Sequence, residues 1–374
     1  MLVRFILTLS LVPLLCAGPL ADRYLPEIED EVLLQRLCAP SPSETERYWR
    51  TAEEIREQRM ISGSVLPLAG LRLAIDPGHL GGEWAELEGR NFRTSEQDYW
   101  VREGELVLEV AKRIRDQLAV LGAEVMLLRE DSTPANPRPP SDYLEAVVRE
   151  MGPMQDGALA PMADYAIEVR RRAVHRSIVV GEIATRARLV NSELKPDALL
   201  SLHINAARWP ILDGVEQFRL VDSNHLHVLI FGCMSPDELS RSGQLAQLER
   251  KLKNGSGPEE LLLATALAES LATSTQLPAA QYQGNHAIRP LEDQPYVWAR
   301  NLMLLRLVEC PVVMLEPYVA NSLDAYPRIQ SALQGRADGA QPAVGDILLE
   351  YADAVVAGVL DAYGDENRPK ASGF

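Results

Sequence analysis

The sequence predicts an α/β fold, a single domain in which a twisted, mostly parallel sheet is flanked by helices on both faces. Three observations predict it. Short apolar strands recur at Leu71–Ile75, Glu124–Leu128, Ala198–Leu202 and Val312–Leu315. Helical stretches lie between them, the clearest at Glu103–Val120, where Leu106, Val107, Val110, Ile114 and Leu118 fall at helical spacing. Breakers stand at the joints, Asp76-Pro77-Gly78 after the first strand and Gly122 after the first long helix. Strands alternating with helices are the pattern of sheets covered on both faces.

The elements follow in order. Residues 1–21 read as a secretory signal, with Arg4 ahead of an apolar run over Phe5–Leu15 and small residues at Ala17 and Gly18. That run is too short for a membrane span and no later stretch is long enough, so export to the periplasm or the exterior is expected. Cys16 offers a lipoprotein reading, which Leu14 and Leu15 disfavour. Residues 22–65 form a polar, helical lead-in. The expected catalytic domain, 66–374, carries long insertions near 131–183 and 222–300. Within it, 131–165 reads as loop, Tyr165–Glu193 as helix, Gly214–Val221 as strand and 222–256 as irregular. Pro258–Leu271 is an amphipathic helix with proline in its first turn, and Val344–Tyr363 closes the chain as a helix.

Composition narrows the function. Of 374 residues, 47% are hydrophobic and 24% charged, as in ordinary globular chains. A formal charge of −16 repels phosphate backbones, so nucleic acid is excluded as a partner. It gives no long-range attraction to an anionic cell wall either. Cys38, Cys233 and Cys310 remain after the signal, an odd number without a C-x-x-C spacing, which argues against a cysteine metal site or a disulfide scaffold.

Two of the six histidines stand at the ends of apolar strands, His79 after Ile75-Asp76-Pro77-Gly78 and His203 after Leu199–Leu202. Glu316 ends a third strand, and Glu103 opens the helix after the first. In α/β sheets ligands gather at the carboxyl ends of the strands. Two histidines and one carboxylate make a catalytic zinc set with an open position, and a second carboxylate can serve as general base. Each residue also has an ordinary reading, as a capped histidine, a helix-dipole partner or a solvated strand end. His225 and His227 would share one face of a strand, either as a hydrogen-bonded pair or as a second metal site. His175 and His286 read as structural. Trp84, Trp100, Trp209 and Trp298 are candidates for a sugar groove or for packing.

The segments carrying these residues resemble the zinc-dependent N-acetylmuramoyl-L-alanine amidases. Ile75–Gly82, IDPGHLGG, is similar to their IDPGHGG signature, and Glu103–Lys112 to their E-K-D-x-x-L-x-x-A-K helix. Leu127–Arg129 resembles L-T-R, Arg186–Asn191 R-V-x-x-A-N, and Asp197–Ala206, DALLSLHINA, A-D-L-F-I-S-I-H-A-N-A. Gly214-Val215-Glu216 resembles the G-x-E strand, Leu302–Arg306 L-x-V-L-R, and Pro311–Asn321, PVVMLEPYVAN, P-A-V-L-V-E-x-G-F-x-S-N. The matches run in family order from Leu71 to the last helix. The resemblance implies that His79, Glu103 and His203 bind zinc and that Glu316 is the catalytic carboxylate, with Asn205 and Arg129 in support. It implies hydrolysis of the amide bond between N-acetylmuramic acid and L-alanine, with peptidoglycan or its fragments as substrate, and it is compatible with an activating protein partner.

Three departures bear on substrate fit: Leu80 interrupts H-G-G, Gly104 replaces the lysine after the ligand glutamate, and Pro317-Tyr318-Val319 stands for x-G-F. A wall-binding or regulatory protein without turnover, or a related zinc peptidase, is the alternative expectation. The insertion after Arg129 should emerge beside the metal, where Glu145, Glu150, Asp156 or Glu168 could fill the open position; the competing reading is a solvated lid.

Overall fold

The computed structural model describes residues 23–28, 33, 37, 47–152, 159–212, 215–216 and 218–364. The signal read at 1–21, Cys16, Cys38, Asp156 and Gly214 lie outside them. The main sheet has strands β1 (Arg72–Pro77), β2 (Glu124–Leu127), β3 (Ala198–Leu202), β4 (Leu226–Phe231), β5 (Val297–Arg300) and β6 (Val312–Pro317), in the order β2-β1-β3-β6-β4-β5. Neighbours pair in parallel except β6 with β4. The fold is the expected α/β one, mostly parallel.

Both faces of the sheet are covered, which is why its strands are apolar at successive positions. Leu73, Ile75, Leu200, Val228, Val313 and Leu315 face one layer, formed by α3 (Glu103–Val120), α9 (Gly257–Thr275) and α12 (Ile347–Tyr363). Helices α9 and α12 cross closely because Gly358 has no side chain to hold Leu267 away. On the other face Ala74, Leu199, Leu229, Phe231 and Met314 meet α6 (Glu182–Arg188), α8 (Gln244–Asn254) and α10 (Met303–Leu307). The lead-in joins the first core: α1 (Ala52–Ser62) starts at a Thr51–Glu54 capping box and buries Ala52 and Ile55.

Several local expectations change. The stretch 131–165 is not plain loop. It holds a 3₁₀ turn at Pro140–Tyr143, α4 (Leu144–Met151) and the start of α5 (Leu159–His175), with Val147, Val169 and Ala173 forming a small core of their own. From 159 to 194 the chain is helical throughout, with π-type stretches at Arg176–Gly181 and Leu189–Leu194. The strand expected at Gly214–Val221 shrinks to Val215–Glu216, paired only with Ile211–Leu212. The stretch read as irregular, 222–256, contains the fully buried strand β4, then α7 (Pro236–Ser240) and α8. The span 222–300 thus supplies two of the six sheet strands, β4 and β5.

Candidate metal centre

His79 follows β1, His203 follows β3 and Glu316 lies near the end of β6, so three parallel strands deliver them to one edge of the sheet. Glu103 is the first residue of α3 and reaches the same edge. Its Oε2 lies 3.5 Å from His79 Nε2 and its Oε1 3.1 Å from His203 Nδ1. The backbone N–H of Ile204 also donates to Oε1, at 3.2 Å. The two imidazoles stand edge to face with centroids 5.0 Å apart. Ligand atoms from His79, Glu103 and His203 all fall within 4.8 Å of one another, the one such group of three or more potential ligands among the described residues.

The loop after β1 explains why these residues are needed around His79. His79 has a left-handed backbone, φ 52°, uncommon for a residue with a side chain. Its carbonyl accepts from Arg186 Nη2 at 3.2 Å. Arg186 also donates to Asp76 Oδ1 at 2.8 Å and to the Pro77 carbonyl at 3.0 Å, while Ser201 Oγ donates to Asp76 Oδ2 at 2.9 Å. Arg129 donates to the carbonyls of Pro77, Gly78, Gly104 and Asp131. Arg129 and Arg186 therefore clamp backbone, and Asp76 holds Arg186 in place. Gly78 must be glycine, since a Cβ there would overlap the His203 ring.

Burial opposes charge on Glu103, but the charge of His79 and the hydrogen bond from His203 outweigh it and hold its carboxyl below the ordinary range. Burial likewise works against the His203 imidazolium, and Glu103 outweighs it, raising the imidazole. Glu316 is held down to about 2: burial works against ionisation, and the hydrogen bond and charge of His227 prevail, with His203 and Arg300 adding to them.

Two contacts in this arrangement escaped the sequence reading. Glu88, at the end of α2 (Gly82–Glu88), puts Oε1 3.5 Å from His79 Nδ1 and accepts the Leu80 N–H on Oε2 at 2.7 Å. His227, 4% exposed, sits 2.5 Å from Glu316 through Nε2. His225 and His227, expected as a hydrogen-bonded pair or a second metal site, stand edge to face with rings 5.7 Å apart, and both reach the Asn205 side chain. A cavity of about 90 Å³ opens beside Glu103, with Arg90, Phe92, Trp209 and Ala320 in its wall. Of the four tryptophans named as groove candidates, Trp209 lines it, whereas Trp298 is buried against Tyr282 and Trp100 stacks under Arg93. The acids of the first insertion are engaged by arginines: Glu145 by Arg149, Glu150 by Arg176, and Glu168 by Arg171 and Arg172.

Residues 73–332 match the family described as N-acetylmuramoyl-L-alanine amidase. No curated protein matches in a sequence search. Among solved structures, the chain is similar to the N-acetylmuramyl-L-alanine amidase Ami1 from Mycobacterium smegmatis, at 20% identity over 78% of this chain and 96% of that one, with a TM-score of 0.41. It is similar to apo Ami1 from Mycobacterium abscessus at 18% identity, over 78% and 98%, with a TM-score of 0.40. The CwlD amidase from Clostridioides difficile, solved with the GerS lipoprotein, matches at 12% identity over 78% and 96%, with a TM-score of 0.38.

Proposed function

The chain belongs to the N-acetylmuramoyl-L-alanine amidase family, and from that premise we propose that it is an exported zinc enzyme cleaving the amide between the lactyl group of N-acetylmuramic acid and L-alanine in peptidoglycan. We read residues 1–21 as its signal, 22–65 as a helical lead-in and 66–374 as the catalytic domain. Among the described residues, no helix is long and apolar enough to cross a membrane.

The donor set fits zinc: two imidazoles and a carboxylate converge, with side chains only 12–19% exposed. His79, Glu103 and His203 would hold the ion, which when bound would supply Lewis acidity for activating water and polarising the amide carbonyl. Glu316 takes the proton of the attacking water. It returns that proton to the L-alanine nitrogen as the C–N bond breaks, leaving a lactyl carboxylate and a free amine. Phe92 and Trp209 give the cavity beside Glu103 an aromatic wall against which the substrate would lie.

The observation that carries this reading is the convergence of His79, Glu103 and His203 beside Glu316 at the carboxyl edge of the sheet. Mass spectrometry of wall fragments digested by the zinc-loaded protein tests it. Glycan whose N-acetylmuramic acid residues carry free lactyl carboxylates, together with peptide bearing an intact L-alanine N-terminus, is the expected product pair. Cleaved peptides would mean a peptidase, and no product with zinc bound a wall-binding protein.

A further inference from the structure

His227 lies outside the proposed ligand set, yet it makes the shortest polar contact to Glu316, and its other ring nitrogen is engaged as well. The antiparallel pairing of β4 with β6 sets Glu316 opposite His227, so the start of β4 meets the end of β6 at the site edge. His227 Nε2 is 2.5 Å from Glu316 Oε2. Tyr282, from the segment before β5, places its hydroxyl 2.7 Å from His227 Nδ1 and stacks on the ring at a centroid distance of 5.5 Å. Arg300, the last residue of β5, donates to the Tyr282 oxygen at 3.3 Å.

The directions of these bonds follow from the donor inventory. Arginine only donates, so Tyr282 accepts from Arg300 and its own proton is free to point at His227 Nδ1. An Nδ1 that accepts leaves Nε2 as the protonated nitrogen of a neutral ring, and an imidazolium carries a proton there too, so in both forms Nε2 donates to the Glu316 carboxylate. The opposite tautomer would set a bare Nε2 against an ionised oxygen at 2.5 Å, an acceptor facing an acceptor. The contacts Arg300–Tyr282–His227–Glu316 form one chain that ends on a single oxygen of the acid. Such a chain is mutually polarising in a largely buried setting.

We propose that His227 is the positioning residue of Glu316: its Nε2–H fixes Oε2, and Oε1 is the oxygen that takes the proton from water. The inference rests on the reading of Glu316 as the base. The titratable and charged groups around the pair are His203 at the end of β3, His225 before β4, Tyr282, and Arg300 on β5.

The test compares His227→Gln with His227→Met in zinc-loaded protein. Glutamine can place an N–H near the Nε2 position; methionine fills the space without a donor. His227→Met should retain zinc, lose kcat by about tenfold or more with KM little changed, and move the acid limb of the kcat profile to higher pH, because a carboxylate that loses a donor to its charged form becomes a stronger base. His227→Gln should recover much of that loss. A His227→Met protein with wild-type kcat and an unmoved acid limb overturns the proposal. The arrangement is also read without turnover, by ¹⁵N shifts of the His227 ring in wild-type protein. A protonated Nε2 is expected, and a ring bare at Nε2 and protonated at Nδ1 overturns it even if either variant fails to fold. Full turnover by Glu316→Gln would instead sink the base assignment, with the ring tautomer still reporting the His227 contacts on their own.

Discussion

A Cβ on residue 104 would be built into the backbone carbonyl of Leu80, which packs directly against Gly104. Two departures from the family pattern, the leucine inside H-G-G and the glycine after the ligand glutamate, are therefore one structural adjustment. The loop carrying Leu80 rides over the first turn of α3, and only a residue without a side chain can lie beneath it.

Gly104→Ala should accordingly destabilise the protein by about 1–3 kcal/mol, the usual range for overpacking a tight contact. The gain in helix propensity, at most about 1 kcal/mol, does not offset this. The obstacle is backbone, so Leu80→Ala should not relieve it. Because the displaced loop also carries His79, zinc affinity should fall with stability. Thermal unfolding and metal titration check both, and a Gly104→Ala protein with unchanged melting and zinc binding would show that the contact is slack.

The proposed ligands make the plainest prediction. His79→Ala or His203→Ala should remove most bound zinc, as measured by elemental analysis, and full occupancy in both would end the assignment. Glu88 should act more gently. It faces His79 Nδ1 while Nε2 faces Glu103, the arrangement of a carboxylate that orients a ligating histidine. Glu88→Gln should weaken zinc binding by roughly 10–100-fold without abolishing it. Unchanged affinity would leave Glu88 only its hydrogen bond to the Leu80 N–H.

Glu316→Gln should keep zinc and fold and lose amide hydrolysis by on the order of 10²-fold or more. It should also change acid stability. The Glu316 carboxyl is held at about 2 in the folded protein, against an ordinary 4.5. Its contribution to stability is full above about 4.5 and is lost as pH falls towards 2. Wild-type protein should lose more stability across that window than Glu316→Gln does. Equal losses, measured by urea unfolding of zinc-free protein at pH 5 and pH 3, would contradict the depressed carboxyl.

Much of the centre was legible because its residues sit in short contiguous segments. His79 and His203 each end an apolar strand, and Glu103 starts a strongly periodic helix, so local pattern and position agree. The partner of Glu316 was not legible in this way. His227 meets it through strand register across 89 positions of chain, and nothing local announces that β4 runs antiparallel to β6. The breakers after β4, Gly232, Ser235 and Pro236, made the stretch read as irregular although six consecutive residues, Leu226–Phe231, are buried. The first insertion was obscured for the opposite reason. Its prolines and acids suggested loop, while Val147, Val169 and Ala173 meet only after α4 and α5 have folded together.

The remaining departure, Pro317-Tyr318-Val319, yields the last prediction. It puts Tyr318 where the family pattern has glycine, and Tyr318 keeps a glycine-like backbone, φ 66°. A left-handed residue with a Cβ costs roughly 1–2 kcal/mol. The ring offsets this by burial: Tyr318 is 1% exposed, its hydroxyl donates to Glu350 Oε1 at 2.7 Å, and Arg328 reaches the same oxygen at 3.0 Å. Tyr318 thus ties the end of β6 to α12. Tyr318→Phe leaves the backbone cost in place and removes one hydrogen bond to a charged group, a loss of about 1.5–3 kcal/mol. Tyr318→Gly removes the backbone cost but deletes a buried ring, a loss of about 3–5 kcal/mol. Burial is the larger effect, so both variants should be less stable than wild type, the glycine variant by about 1–4 kcal/mol net. Urea midpoints of zinc-free protein measure this directly. A Tyr318→Gly protein more stable than wild type would mean that the strain, not the packing, dominates at this turn.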